Sequence, residues 1–173
     1  MEIIRADNSG FCFGVKKALE TTQEQIKESK ASSSKGSLFT CGPLIHNKIV
    51  TSQLENDGVR IIKTPDEAKE GDTIIVRSHG EPKAFYDRMD KLNLNYVDTT
   101  CPFVSKIHTI VNGACKEGKK IIIIGDANHQ EVIATNGWCD NSAYIINSPD
   151  EVEKVESGEY LVVCQTTIRK ELF

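Results

Sequence analysis

Nowhere does the 173-residue sequence approach the ~18 consecutive apolar positions a membrane-spanning helix needs; its longest apolar runs, IIII at 121–124 among them, are strand-sized. Its first residues, MEIIRADNSGFCFG, lack the basic region and long apolar core of a secretory signal, so a cytoplasmic protein is the default expectation. A basic excess is missing too. The formal net charge is −4, and lysine and glutamate are mixed along the helical stretches without the basic stripe that tracks nucleic-acid phosphates. Membrane and nucleic acid are therefore excluded as expected partners. The 6 cysteines include no C-x2-C pair, which removes zinc ribbons and thioredoxin-type motifs, and a reducing compartment disfavours disulfides. Any metal site has to be assembled from distant segments.

With 39% hydrophobic and 27% charged residues, the composition is that of a globular protein with a real core. Apolar β-rich runs (EIIRA, SLFTCG, VRII, DTIIVRS, NYVDTT, KKIIIIGD, AYIIN, EYLVVCQTT) alternate with stretches of helical period such as GVKKALETTQEQIKESK and KAFYDRMDKL. That alternation predicts an α/β fold with mainly parallel sheets. Residues 74–76 and 121–124 are apolar at successive positions, as in central parallel strands covered on both faces. Pro82 and Pro102 suit first helical turns, Ser148-Pro149 reads as a cap followed by proline, and KASSSKGS at 30–37 is a short polar connection. The best internal boundary falls near 98–102, giving two loosely similar α/β units, 1–98 and 99–173. The last strand runs out close to Phe173, where an α/β unit is expected to return through a helix, so the second unit reads as incomplete.

Polar residues gather where the strands end. The exits lead to His46, to His79 and Glu81, to Cys101, to His129 and Glu131, and to Gln165-Thr166-Thr167. In open α/β sheets ligands bind outside the carboxyl ends of the strands, so these residues are candidates to face one cleft. Each has an ordinary alternative, as a turn, capping or strand residue. Glu81 and Pro82 read as the acidic residue and proline that start the next helix, and His108 as a residue on a helix face. Cys115 and Cys164 read as small buried hydrophobes, and Cys41 and Cys139 lean the same way. Cys12 enters a helix from a loop, and Cys101 sits at a strand-to-helix turn. Both are placed to be good thiolates, hence metal ligands or nucleophiles.

GFCFGV, GPLIHN, RSHGEP, DTTCPFV, GDANHQEV followed by NGW, and QTT occur in that order along essentially the whole chain. Together they resemble the 4-hydroxy-3-methylbut-2-enyl diphosphate reductase family, which closes the methylerythritol phosphate route to isoprenoids. The resemblance implies a trefoil-type arrangement of three α/β units around a 4Fe-4S cluster, of which this chain holds about two. It implies reduction of 4-hydroxy-3-methylbut-2-enyl diphosphate to isopentenyl and dimethylallyl diphosphate, with electrons from a donor such as ferredoxin or flavodoxin. Carried over by position, Cys12 and Cys101 correspond to cluster ligands and His46, His79 and His129 to diphosphate-binding groups. Glu131 corresponds to the acid of a proton relay, and Thr167 to a hydroxyl near the substrate. Gln130 replaces a usual proline and Ala134 a common glycine. The family's third cysteine, with further serine and asparagine contacts to the diphosphate, belongs to a third unit that this chain lacks. A fragment without catalysis that at most binds diphosphate is the alternative. On the residues alone, the competing class is a cysteine-nucleophile enzyme using Cys101 and a strand-exit histidine.

Overall fold

The computed structural model of the chain describes residues 2–4, 6–7, 9–31 and 36–168. Strands β1 (Leu38–Cys41), β2 (Val59–Ile62), β3 (Thr73–Val76) and β4 (Asn95–Asp98) form one sheet in the order β2-β1-β3-β4. A second sheet has the order β6-β5-β7, from β5 (Lys120–Ile124), β6 (Tyr144–Ile146) and β7 (Tyr160–Cys164). Every pairing is parallel, so the chain must cross back over a sheet face between strands. The helices are α1 (Phe13–Ala31), α2 (Lys48–Asn56), α3 (Lys83–Lys91), α4 (Pro102–Lys116) and α5 (Gln130–Asn136). The fold is the expected α/β type with small parallel sheets.

Alternation of side chains across the first sheet builds two cores. Leu38 and Ile75 join Ile26 of α1 and Leu54 of α2 on one face; Phe39, Cys41, Ile74 and Val76 join Met89 of α3 on the other. With both faces covered, β1 buries all of its residues, and the apolar run 74–76 in β3 has no solvent side. β5 is also central but differs. Ile121 and Ile123 pack on Val111 and Ala114 of α4 and Val132 of α5, whereas Ile122 and Ile124 are half-buried and Val162 of the neighbouring β7 is 50% exposed. Two covered faces, expected for both apolar runs, hold for the first sheet only.

Three local expectations are corrected. No strand forms at Glu2–Ile4, and Ile3 and Ile4 are 79% and 85% exposed, because an apolar run without a neighbouring strand leaves its backbone unpaired; Arg5 of that run lies outside the described residues, as do 32–35 of the polar connection. Pro82 is the N-cap of α3 rather than part of its first turn, and Glu81 stands outside the helix. Pro102 does occupy the first turn of α4, and Ser148 caps a 3-10 segment opened by Pro149.

The two sheets meet along a close seam. Gly137, in a 3-10 turn after α5, approaches Pro82 so closely that a Cβ on it would lie 2.4 Å from the proline Cβ. Beside it Trp138 Nε1 donates to the Glu81 carbonyl at 3.0 Å, and Arg77 Nη2 donates to Gln130 Oε1 at 3.2 Å.

Candidate active site

Each strand exit is fastened before it delivers its side chain. After β1, Gly42 turns with φ +80° and Leu44 is buried, which brings His46 to the end of the sheet; Asn47 then caps α2 by accepting from the Val50 N–H. After β3, the Ser78 hydroxyl lies 3.4 Å from the Leu44 carbonyl, its own carbonyl accepts from the Cys101 N–H at 2.9 Å, and Gly80 turns with φ +77°. After β5, His129 is the N-cap of α5, with Nδ1 accepting from the Glu131 N–H at 3.2 Å. A neutral ring with Nδ1 so engaged carries its proton on Nε2.

These turns bring three imidazoles together from three exits. Ring centroids of His46 and His79 are 4.5 Å apart, His79 and His129 5.9 Å, and His46 and His129 6.3 Å. Burial holds His79 well below the ordinary histidine range, at about 4, and the nearby charges of His46, His129 and Arg77 press in the same direction. The free site therefore presents His79 uncharged at neutral pH.

Glu131 is buried, and Thr166 fastens it twice: the backbone N–H donates to Oε1 at 2.6 Å and the hydroxyl to Oε2 at 2.8 Å. Thr167, the position singled out from sequence, instead has its hydroxyl 2.8 Å from Gln165 Nε2 and is exposed. Nothing in the pair Thr166-Thr167 signals which hydroxyl turns inward; the path of the chain after β7 decides it.

Glu81 is corrected from a helix-opening residue to half of a buried ion pair. Arg77 and Glu81 meet at 2.6 Å with side chains 14% and 7% exposed. Burial raises the Glu81 carboxyl, and Arg77 opposes this. His108 is not on an open helix face either. It is 4% exposed, stacks on Trp138 with centroids 5.4 Å apart, and its Nε2 has no hydrogen-bond partner. A cavity of about 640 Å³ is lined by Cys41, Gly42, Arg77, Glu81, Phe85 and Gln130 but by none of the three clustered histidines.

The two helix-entry thiols stand at the starts of two helices, α1 and α4, whose first turns lie close together. Cys101 is the half-buried N-cap of α4, and a Cβ on Gly14, in the first turn of α1, would lie 2.7 Å from its Sγ. Cys12 is exposed and two residues from that contact, a span of at most roughly 7 Å of backbone. As soft donors at helix entries they suit iron. The donor set is nevertheless short: among the described residues no three His, Cys, Asp or Glu side chains are grouped to hold a metal ion. Cys41 and Cys139 are buried, and burial pushes the Cys41 thiol up to about 12, so these act as core residues.

Small parallel sheets whose carboxyl ends converge on a polar cluster define an α/β protein with a candidate site at its strand exits. Residues 3–173 match the LytB protein family. The chain belongs to that family. It is 45% identical, over its whole length, to a 4-hydroxy-3-methylbut-2-enyl diphosphate reductase of Alkaliphilus oremlandii, and 42% identical to the protein of that name from Clostridioides difficile. It spans 61% of the length of each of these relatives. The solved structure of E-1-hydroxy-2-methyl-but-2-enyl-4-diphosphate reductase from Plasmodium falciparum superposes with a TM-score of 0.87 at 31% identity, covering 96% of this chain and 52% of that one. A second, of (E)-4-hydroxy-3-methyl-but-2-enyl diphosphate reductase, superposes with a TM-score of 0.79 at 38% identity, covering 98% and 59%.

Proposed function

We propose that the chain carries the diphosphate-binding face and two cysteine ligands of an iron–sulfur reductase acting on 4-hydroxy-3-methylbut-2-enyl diphosphate. The reaction is reductive dehydroxylation: two electrons and two protons enter, the allylic C–O bond breaks, and water leaves with isopentenyl or dimethylallyl diphosphate. The observation that carries this reading is the convergence of three imidazoles from three strand exits. His46, His79 and His129 bind the diphosphate by N–H donation, and at His79, uncharged when free, that donation strengthens as the ring charges against the anion. Glu131, fixed by Thr166, is the proposed acid of the proton relay to the substrate. Cys12 and Cys101 would hold one side of a 4Fe-4S cluster. When bound, that group would supply the electrons and an iron for the hydroxyl oxygen. A ferredoxin or flavodoxin is the proposed electron donor and the cytoplasm the proposed setting.

Calorimetry with inorganic pyrophosphate and with the substrate diphosphate tests the binding half. Because His79 is uncharged when free, binding near neutral pH should take up protons, so the observed heat should change with the ionisation enthalpy of the buffer. Binding without uptake, or no binding, removes the imidazole assignment. Anaerobic reconstitution with iron and sulfide tests the other half by visible charge-transfer absorption and turnover. A second reading is that this stretch binds diphosphate without catalysis; among the described residues only Cys12 and Cys101 are placed at the candidate cluster position. Pyrophosphate binding with neither absorption nor turnover would select it.

A further inference from the structure

Beneath the histidine cluster lies a layer that diphosphate binding does not account for. Gly80, immediately after His79, is buried and turns with φ +77°. A Cβ there would fall 2.4 Å from His108 Cε1 and 3.2 Å from Thr100 Cγ2, so the turn rests directly on the His108 ring. That contact is at the Cε1 edge of the ring, while a face of it is stacked on Trp138 at an interplanar angle of 21°. Trp138 in turn donates to the carbonyl of Glu81, the next residue of the same turn. Thus α4 and the 3-10 turn after α5 together grip residues 79–81 from below, with the Arg77–Glu81 pair alongside.

The chemistry of His108 agrees with a packing role rather than a hydrogen-bonding one. Its Nε2 is buried without a partner, which costs free energy and demands a compensating reason for a histidine to be there. A flat ring that stacks its face on an indole and sets its Cε1 edge under a glycine turn is such a reason.

We infer that His108 is a positioning residue for His79: its ring, backed by Trp138, is the floor that sets the direction of the His79 imidazole, and so couples α4 to diphosphate binding. The functional consequence rests on the diphosphate reading above; the geometric one does not. Cys101 opens the same helix, so one rigid element carries both a candidate cluster thiol and the support of an anion-binding ring.

Two substitutions separate shape from hydrogen bonding. His108→Phe keeps a flat ring against Gly80 and Trp138, whereas His108→Ala removes it. NMR of the imidazole Cε1–H groups reports the His79 environment, and the nuclear Overhauser contact between the His46 and His79 rings reports their approach. His108→Ala should lose that contact, shift the His79 resonance and weaken inorganic pyrophosphate binding by roughly tenfold, as loss of outer-shell support does. His108→Phe should restore all three to within about twofold of the parent. The inference is overturned if His108→Ala, still folded by circular dichroism, leaves the His79 resonance and ring contact unchanged, or if His108→Phe fails to rescue them. Should His108→Ala not fold, the Phe variant alone decides. Should the parent protein not bind pyrophosphate, the diphosphate reading fails while the NMR comparison still tests the positioning of His79.

Discussion

Among single residues, the decisive contrast is between neighbours of the same type. Thr166 and Thr167 follow one strand, yet only Thr166 donates to the buried Glu131. Thr166→Val should lower unfolding free energy by about 1 kcal/mol, since the backbone donor remains, while Thr167→Val should leave it within ~0.5 kcal/mol. Urea denaturation of the two variants checks this, and equal costs would contradict the geometry. Arg77 offers a larger effect. Burial raises the Glu81 carboxyl despite the adjacent guanidinium, so the pair fixes geometry more than it stabilises. Arg77→Met should cost about 3 kcal/mol or more by leaving a buried carboxylate unpaired, and adding Glu81→Gln should recover most of that loss. A double variant no more stable than the single one would refute this assignment.

Elements act here through their ends. α1 reaches the site because Gly14 lets its first turn close on the Cys101 thiol. Gly14→Ala improves helix propensity by up to about 1 kcal/mol, but the new Cβ would also lie 3.1 Å from Cys101 Cβ, so the thiol cannot escape by rotation alone. Overpacking of this kind costs roughly 1–3 kcal/mol and should win. The expected result is a lower melting temperature together with faster reaction of Cys101 with a disulfide reagent. α5 begins differently: Gln130 gives up the preset backbone of a proline at the first helical position and instead joins Arg77 across the seam. That bond ties the turn holding His129 to the turn holding His79.

Over the whole molecule, pH sums these environments. His79 and His108 are both held near 4 when folded, chiefly by burial, against an ordinary value of 6.5. The unfolded chain therefore binds more protons between those values. The contribution of the two rings is fully present above about 6.5 and is lost as pH falls toward 4. For His108 the loss is bounded at about 3 kcal/mol. Glu81, raised by burial, opposes the trend as it protonates, so the useful measurement is a difference. The urea midpoint of His108→Phe should fall less steeply than that of the parent between pH 6.5 and 4.5, and parallel curves would show that His108 does not charge on unfolding.

Sequence alone determined the α/β class and the places where strands end, because short β-rich apolar runs such as 74–76 and 121–124 alternate with stretches of helical period. It also assembled the candidate residues, since strand exits in an open α/β sheet share one side whatever the details. It could not settle Glu2–Ile4, whose apolar pattern forms a strand only beside a partner strand. Nor could it reveal that Glu81 pairs with Arg77, that Thr166 rather than Thr167 holds Glu131, or that His108 underlies Gly80. Those contacts join segments 4 to 35 residues apart through turns whose direction depends on left-handed glycines and on the seam between two sheets. Pattern reports what a side chain must avoid, water or the core; which neighbour it meets is decided only when the turns close.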